Sequence, residues 1–107
     1  MKKILVIDDD QMILMILKQT LIKAGYHVST ASSGENGITQ LAVFQPDLIL
    51  TDYLMEGMSG IDVLGFVMQN QPLIPVIMLT GHGDVPLTIK AIQLGAIDFI
   101  EKPIQSA

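Results

Sequence analysis

At 107 residues the chain is the size of one domain, commonly roughly 100 to 150 residues, and half of its side chains are apolar, so it can bury a core. Eleven acidic side chains against six basic ones leave a net charge of −5 and no basic cluster to follow a phosphate backbone, which speaks against direct nucleic-acid binding. The absence of cysteine excludes disulfides and thiolate metal sites and fits a reducing compartment.

Lys2 and Lys3 lead into only a short apolar run before Asp8, too little for a signal peptide. The longest apolar stretch, Met12 to Leu17, falls far short of the ~20 residues of a membrane span. A soluble cytoplasmic domain over residues 1–107 is the expectation.

In chain order, the first strand candidate is Lys3–Asp8 (KILVID), followed by an amphipathic helical segment over 11–24 that stops at Gly25. His27–Ala31 (HVSTA) is the second strand, and a helix over 34–44 closes at Gln45-Pro46. Asp47–Asp52 (DLILTD) is the third strand, with a helix over 60–70 ending before Gln71-Pro72. Val76–Thr80 (VIMLT), a helix over 86–94 closed by Gly95, and Ile97–Ile100 (IDFI) complete the series. Glycine or proline just past a helix is its ordinary stop signal. Strands one, three and four are apolar on both faces, which suits a parallel sheet covered by helices on each side. The alternation of strand and helix predicts an α/β fold with a five-stranded parallel sheet in one domain.

Ligands of open parallel sheets bind beyond the carboxyl ends of the strands, and right-handed crossovers bring those ends to one edge. Here they carry Asp8-Asp9 after strand one, Asp52 after strand three, Thr80-Gly81 after strand four and Lys102-Pro103 after strand five. Carboxylates about 4 Å apart repel by about 4 kcal/mol per pair at an effective dielectric near 20, so a bare cluster raises pKa values or takes up a cation. A hard divalent ion such as Mg²⁺ prefers such oxygen ligands.

These residues resemble the receiver domain of bacterial two-component response regulators over Lys3 to Pro103. The resemblance is carried by Asp8-Asp9, by Asp52 in LILTDYLMEGMSG, by Thr80 in VIMLTGHGDV and by Lys102-Pro103 in AIDFIEKPI. TGHGDVP followed by GAIDFIEKP is most similar to receivers of nitrogen-fixation and nitrogen-regulation transcriptional regulators. The resemblance implies a doubly wound, flavodoxin-like sheet of order 2-1-3-4-5 and phosphoryl transfer from a sensor histidine kinase, or a phosphotransfer protein, onto one aspartate. It implies Asp52 as acceptor, with Mg²⁺ held by Asp9, Asp52 and the backbone carbonyl of Leu54, and by Asp8 through a water. Lys102 would offset phosphoryl charge, Thr80 would donate its hydroxyl to a phosphoryl oxygen, Phe99 would swing inward behind it, and Pro103 would follow a cis peptide bond that aims Lys102. The protein would be a signalling phosphoprotein rather than an enzyme acting on a separate substrate.

Plainer roles stand beside these. Asp8 and Asp9 also suit a helix N-cap, and Asp10 is expected to cap the first helix rather than serve the metal. His82 lies near the cleft but reads as solvated, His27 is assigned no function, and Gly81 and Gly83 suit a mobile loop or a simple turn. Glu56 replaces the proline usual four residues beyond the acceptor, which loosens that loop and adds an acid near the metal. Leu54 cannot orient a hydrolytic water with its side chain. Two alternative functions are a degenerate receiver that only binds proteins, and a haloacid-dehalogenase-like phosphatase with Asp8 as nucleophile. The phosphatase lacks the expected residue at Met12 and room for a cap, and the intact set Asp9, Asp52, Thr80 and Lys102 opposes the degenerate receiver.

The chain stops four residues after Pro103, before a fifth helix of that fold. It therefore reads as a fragment of a longer regulator or one that self-associates, with apolar side chains of Leu48–Leu50, Val76–Leu79 and Ile97–Ile100 facing water.

Overall fold

The computed structural model describes residues 1–81 and 85–102. Its elements run β1 (Lys3–Ile7), α1 (Gln11–Lys23), β2 (His27–Ala31), α2 (Gly34–Phe44), β3 (Leu48–Asp52), α3 (Gly60–Asn70), β4 (Val76–Thr80), α4 (Val85–Gln93) and β5 (Asp98–Glu101). All strands pair in parallel in the order β2-β1-β3-β4-β5. Sequence expectation and structure agree on every element to within a residue at each end.

The core lies on both sides of the sheet because the central strands are apolar in both directions. Leu5, Ile7, Ile49, Val76 and Met78 pack under α2, α3 and α4 through Leu41, Val63, Leu64, Val67 and Ala91. On the opposite face, Ile4, Val6, Leu50 and Leu79 pack against Leu14 and Leu17 of α1. At about 25 cal/mol per Å² of apolar surface, these two layers are the main source of stability.

Exposure of strands three and four, expected for want of a second helix beside α1, is found only in part. On the α1 face Leu50 and Leu79 are buried and Leu48 and Ile77 half-buried, whereas Ile100 at the β5 edge is 39 % exposed; Phe99, 43 % exposed, lies on the opposite face with Met78. The reason is geometric. A helix roughly 10–12 Å across covers two to three strands spaced ~4.8 Å apart; α1 lies mainly over β2 and β1, its Leu14 and Leu17 share a cluster with Leu50 and Leu79, and β5 lies beyond its reach.

The starts of α1, α2 and α3 are set by side chains the chain places just before them. Asp10 accepts from the amides of Met12 and Ile13 at 2.9 and 3.4 Å and caps α1, the role expected of it. Ser33 caps α2 through Asn36 N, and Ser59 with Asp62 forms a reciprocal capping box on α3. Asp10→Ala should lower the free energy of unfolding by about 1 kcal/mol in urea titrations while leaving the fold intact; an unchanged midpoint would show that the cap contributes nothing.

Candidate functional site: an acidic cluster at the carboxyl edge of the sheet

β1 ends at Ile7, and its next residue turns the chain while staying in the sheet. The amide of Asp8 donates to Ala31 O at 3.0 Å, and Asp8 Oδ1 accepts from the amide of Asp10 at 2.9 Å. The Asp8 side chain is thus fully buried, whereas Asp9 stands exposed beside it. Asp52, the last residue of β3, is 7 % exposed and paired in register with Leu79 of β4. Carboxylate oxygens of Asp8, Asp9 and Asp52 lie within 4.8 Å of one another. Glu56, expected to bring a further acid to this spot, is exposed and lies outside that group, because the chain after Asp52 turns its side chain to solvent.

Lys102 enters from the far side of the sheet. Its amide donates to Thr80 O at 2.7 Å, fixing the end of β5 on β4. Its ammonium lies 2.8 Å from Asp8 Oδ2 and 3.0 Å from Asp52 Oδ1. The contact to Asp8 is an ion pair without a well-directed hydrogen bond, so Asp8 Oδ2 is buried with no aligned donor. Three carboxylates against one ammonium leave two formal negative charges, and one buried oxygen lacks an aligned partner. This donor set is all oxygen and fits a hard divalent cation.

Burial is the largest influence on Asp52 and pushes its carboxyl above the ordinary range; the hydrogen bond from Lys102 opposes this, while the charges of Asp8 and Asp9 add to it. For Lys102, burial is the largest single influence and lowers its pKa. Its interactions with the carboxylates of Asp8 and Asp52 together outweigh burial and hold it above its usual value.

A cavity of about 220 Å³ opens beside these groups, lined by Asp52, Tyr53, Leu54, Gly81 and Lys102. Thr80 is buried at the adjacent strand end and does not line it. Thr80 pairs with Glu101, and Phe99 pairs with Met78, so Thr80 and Phe99 share a face of the sheet. His82, Gly83 and Pro103, with its expected cis bond, lie outside the described residues. His27 packs edge-on against Phe44, with ring centroids 5.2 Å apart, far from the cluster in the fold. Tyr53 was not singled out from the sequence, although its position directly after Asp52 was the available signal.

The loop of residues 53–59 carries Leu54 to the cavity. It is closed by hydrogen bonds from Tyr53 N to Leu79 O at 3.1 Å and from Gly60 N to Tyr53 O at 2.8 Å. A Cβ at residue 60 would overlap the backbone oxygen of Asp52, so only glycine lets α3 begin this close to the strand end.

The sequence profile of the response regulator receiver domain matches residues 4–107, and the chain belongs to that family. Among curated relatives it is 37 % identical over 100 residues to the C4-dicarboxylate transport transcriptional regulatory protein DctD of Rhizobium meliloti, and 38 % identical over 98 residues to the DNA-binding transcriptional regulator NtrC of Escherichia coli K12. These matches cover 94 % and 92 % of the chain but 22 % and 21 % of the relatives, so the chain spans about a fifth of their length. Among solved structures, a response regulator receiver domain protein of Clostridium thermocellum superposes with a TM-score of 0.92 at 38 % identity, covering 99 % of this chain and 86 % of that one. NtrX of Brucella abortus gives 0.94 at 31 % identity, covering 99 % and 24 %. The fold is the flavodoxin-like fold of receivers, and the chain is a phosphoacceptor signalling domain of the two-component type. Among the described residues no helix is long and apolar enough to cross a membrane.

Because the folded Asp52 holds its proton more tightly than the unfolded residue, its contribution destabilises the fold as pH rises above ~3.9, and the loss is complete once pH exceeds the folded value. Asp52→Asn removes that penalty and also one acceptor of Lys102. Metal-free urea denaturation should therefore show equal or higher stability than the parent at pH 7, with the gain shrinking as pH falls from the folded value toward about 4 and absent below that, where the carboxyl is protonated in both states. A mutant less stable at neutral pH by more than about 1 kcal/mol would show that the Lys102 pair outweighs the carboxylate repulsion.

Proposed function

We propose that Asp52 is the residue that accepts the phosphoryl group. The observation that carries this reading is the bridge of Lys102 between Asp8 and Asp52, beside Asp9, at the mouth of a cavity that Asp52 lines. A carboxylate oxygen of Asp52 attacks phosphorus, the bond from phosphorus to a phosphohistidine nitrogen breaks, and an acyl phosphate forms while the departing imidazole keeps the electron pair. Lys102, already within 3.0 Å of Asp52, moves with little reorganisation onto a phosphoryl oxygen.

Asp9, Asp52 and the carbonyl of Leu54 would hold Mg²⁺, with Asp8 acting through a bound water, and the ion would offset charge on the phosphoryl oxygens. Thr80 and Phe99 form the proposed switch. They share one face of the sheet, and the Phe99 ring, 43 % exposed, would turn inward once the Thr80 hydroxyl is drawn toward the phosphoryl group. Phosphodonor partners are a sensor histidine kinase or phosphotransfer protein. The relatives named as transcriptional regulators support a regulatory output in a longer protein, and the apolar β5 edge supports self-association. A cytoplasmic location accords with these partners.

The phosphatase reading is disfavoured by a specific contact. Asp8 is fully buried, with Oδ1 on the Asp10 amide and Oδ2 against Lys102, so it has no open path to a substrate.

Incubation with acetyl phosphate and Mg²⁺ should place a hydroxylamine-sensitive label on Asp52 and none on Asp52→Asn. Normal labelling of that mutant would remove Asp52 as the acceptor, and labelling or turnover through Asp8 would revive the phosphatase. Without phosphodonor, Mg²⁺ at ten times its Kd should stabilise the parent by about 1.4 kcal/mol. Asp9→Ala should lose this response; a mutant whose melting temperature still follows millimolar Mg²⁺ as the parent's does would place the ion elsewhere.

A further inference from the structure

We infer that the first turn of α2 positions the loop that presents the Leu54 carbonyl, with Gly34, Glu35 and Met58 as positioning residues; the inference rests on the metal-site reading above. Residues 53–59 lack the proline that would stiffen them, since Glu56 stands there, so packing must supply what backbone restriction does not. Among the described residues, the backbone–backbone hydrogen bonds that close the loop involve its ends, Tyr53 and Gly60. Its middle is held by side chains and by α2. Met55 is buried in the core, and Met58 packs against that core from its edge.

Gly34, the first residue of α2, sits directly on Met58. A Cβ at position 34 would lie 2.9 Å from Cβ and Cγ of Met58 and 3.0 Å from its backbone oxygen, closer than side-chain carbons normally approach. One residue on, the carboxylate of Glu35 flanks Gly57, where an added Cβ would meet Oε2 at 3.0 Å and the backbone φ of +79° already favours glycine. Ser33 anchors this turn by capping α2. The helix start therefore forms a wall along residues 57 and 58, and the other side of the same short loop carries Leu54 into the cavity beside Asp52. Displacing the wall shifts the carbonyl while the carboxylates, held by β1, β3 and Lys102, stay in place. Outer-shell hydrogen-bond partners of metal ligands typically alter affinity by roughly 10- to 100-fold when changed, and a packing support one contact further out falls at the low end of that range.

The experiment measures Mg²⁺ affinity from the Mg²⁺ dependence of the melting temperature, together with amide hydrogen exchange at Leu54 and Met55 in the metal-free protein. Gly34→Ala should weaken Mg²⁺ binding about tenfold and speed exchange at those amides, and Met58→Ala should act in the same direction. Ile4→Val, a mild core change on the opposite face, controls for lowered stability and should leave affinity unchanged. Should Gly34→Ala not fold, Met58→Ala decides. Parent-like affinity and exchange in the folded variants, with Asp9→Ala still unable to respond to Mg²⁺, would overturn the positioning role alone. A parent-like response in Asp9→Ala would instead overturn the metal-site reading and this inference with it.

Discussion

The structure turns on a convergence of like charges that the fold would not tolerate unaided. Asp8 and Asp52 are buried, Asp9 lies within reach of both, and a single ammonium from Lys102 stands between two of them. Removing one partner of a buried charge pair leaves an uncompensated charge and costs about 3–5 kcal/mol, so the position of Lys102 is a structural requirement as well as a chemical one. That position depends on β5 being fixed to β4, which the hydrogen bond from Lys102 N to Thr80 O provides. Charge at one edge of the sheet thereby ties the first, third and last strands into one unit.

A residual excess of negative charge is what makes such a site responsive. One cation cannot balance three carboxylates, and a buried oxygen of Asp8 has no aligned donor. A fully neutralised site would be more stable and would have less to gain from a divalent ion or from a phosphoryl group that recruits one. The raised pKa of Asp52, caused first by burial, is the same imbalance seen from the acid's side. Stability lost here is offset by the two apolar layers on either face of the sheet, which contain no comparable conflict.

The helices do more than cover those layers. α3 begins one close contact from the backbone of Asp52 because residue 60 has no side chain, and α2 begins against Met58 because residue 34 has none. Both helix starts press on the loop that follows the buried acid. Its geometry is therefore a property of three elements packed together, and a change at any of them is felt beside Asp52.

The strand and helix order, the parallel sheet and the gathering of Asp8, Asp9, Asp52 and Lys102 were all legible in the sequence. The reason is that period, stop signals and right-handed crossovers are local or topological rules, and they fix which strand ends share an edge without knowledge of packing. The capping role of Asp10 was legible for the same reason, since a cap acts within one turn. Packing decided the rest. Which strands α1 shields depends on helix width against strand spacing, so on its face Leu50 and Leu79 are covered whereas Ile100 is not. The outward turn of Glu56, the unaligned oxygen of Asp8 and the approach of Gly34 to Met58 are contacts between segments distant in the chain or set by loop backbone, and no spacing in the sequence encodes such distances.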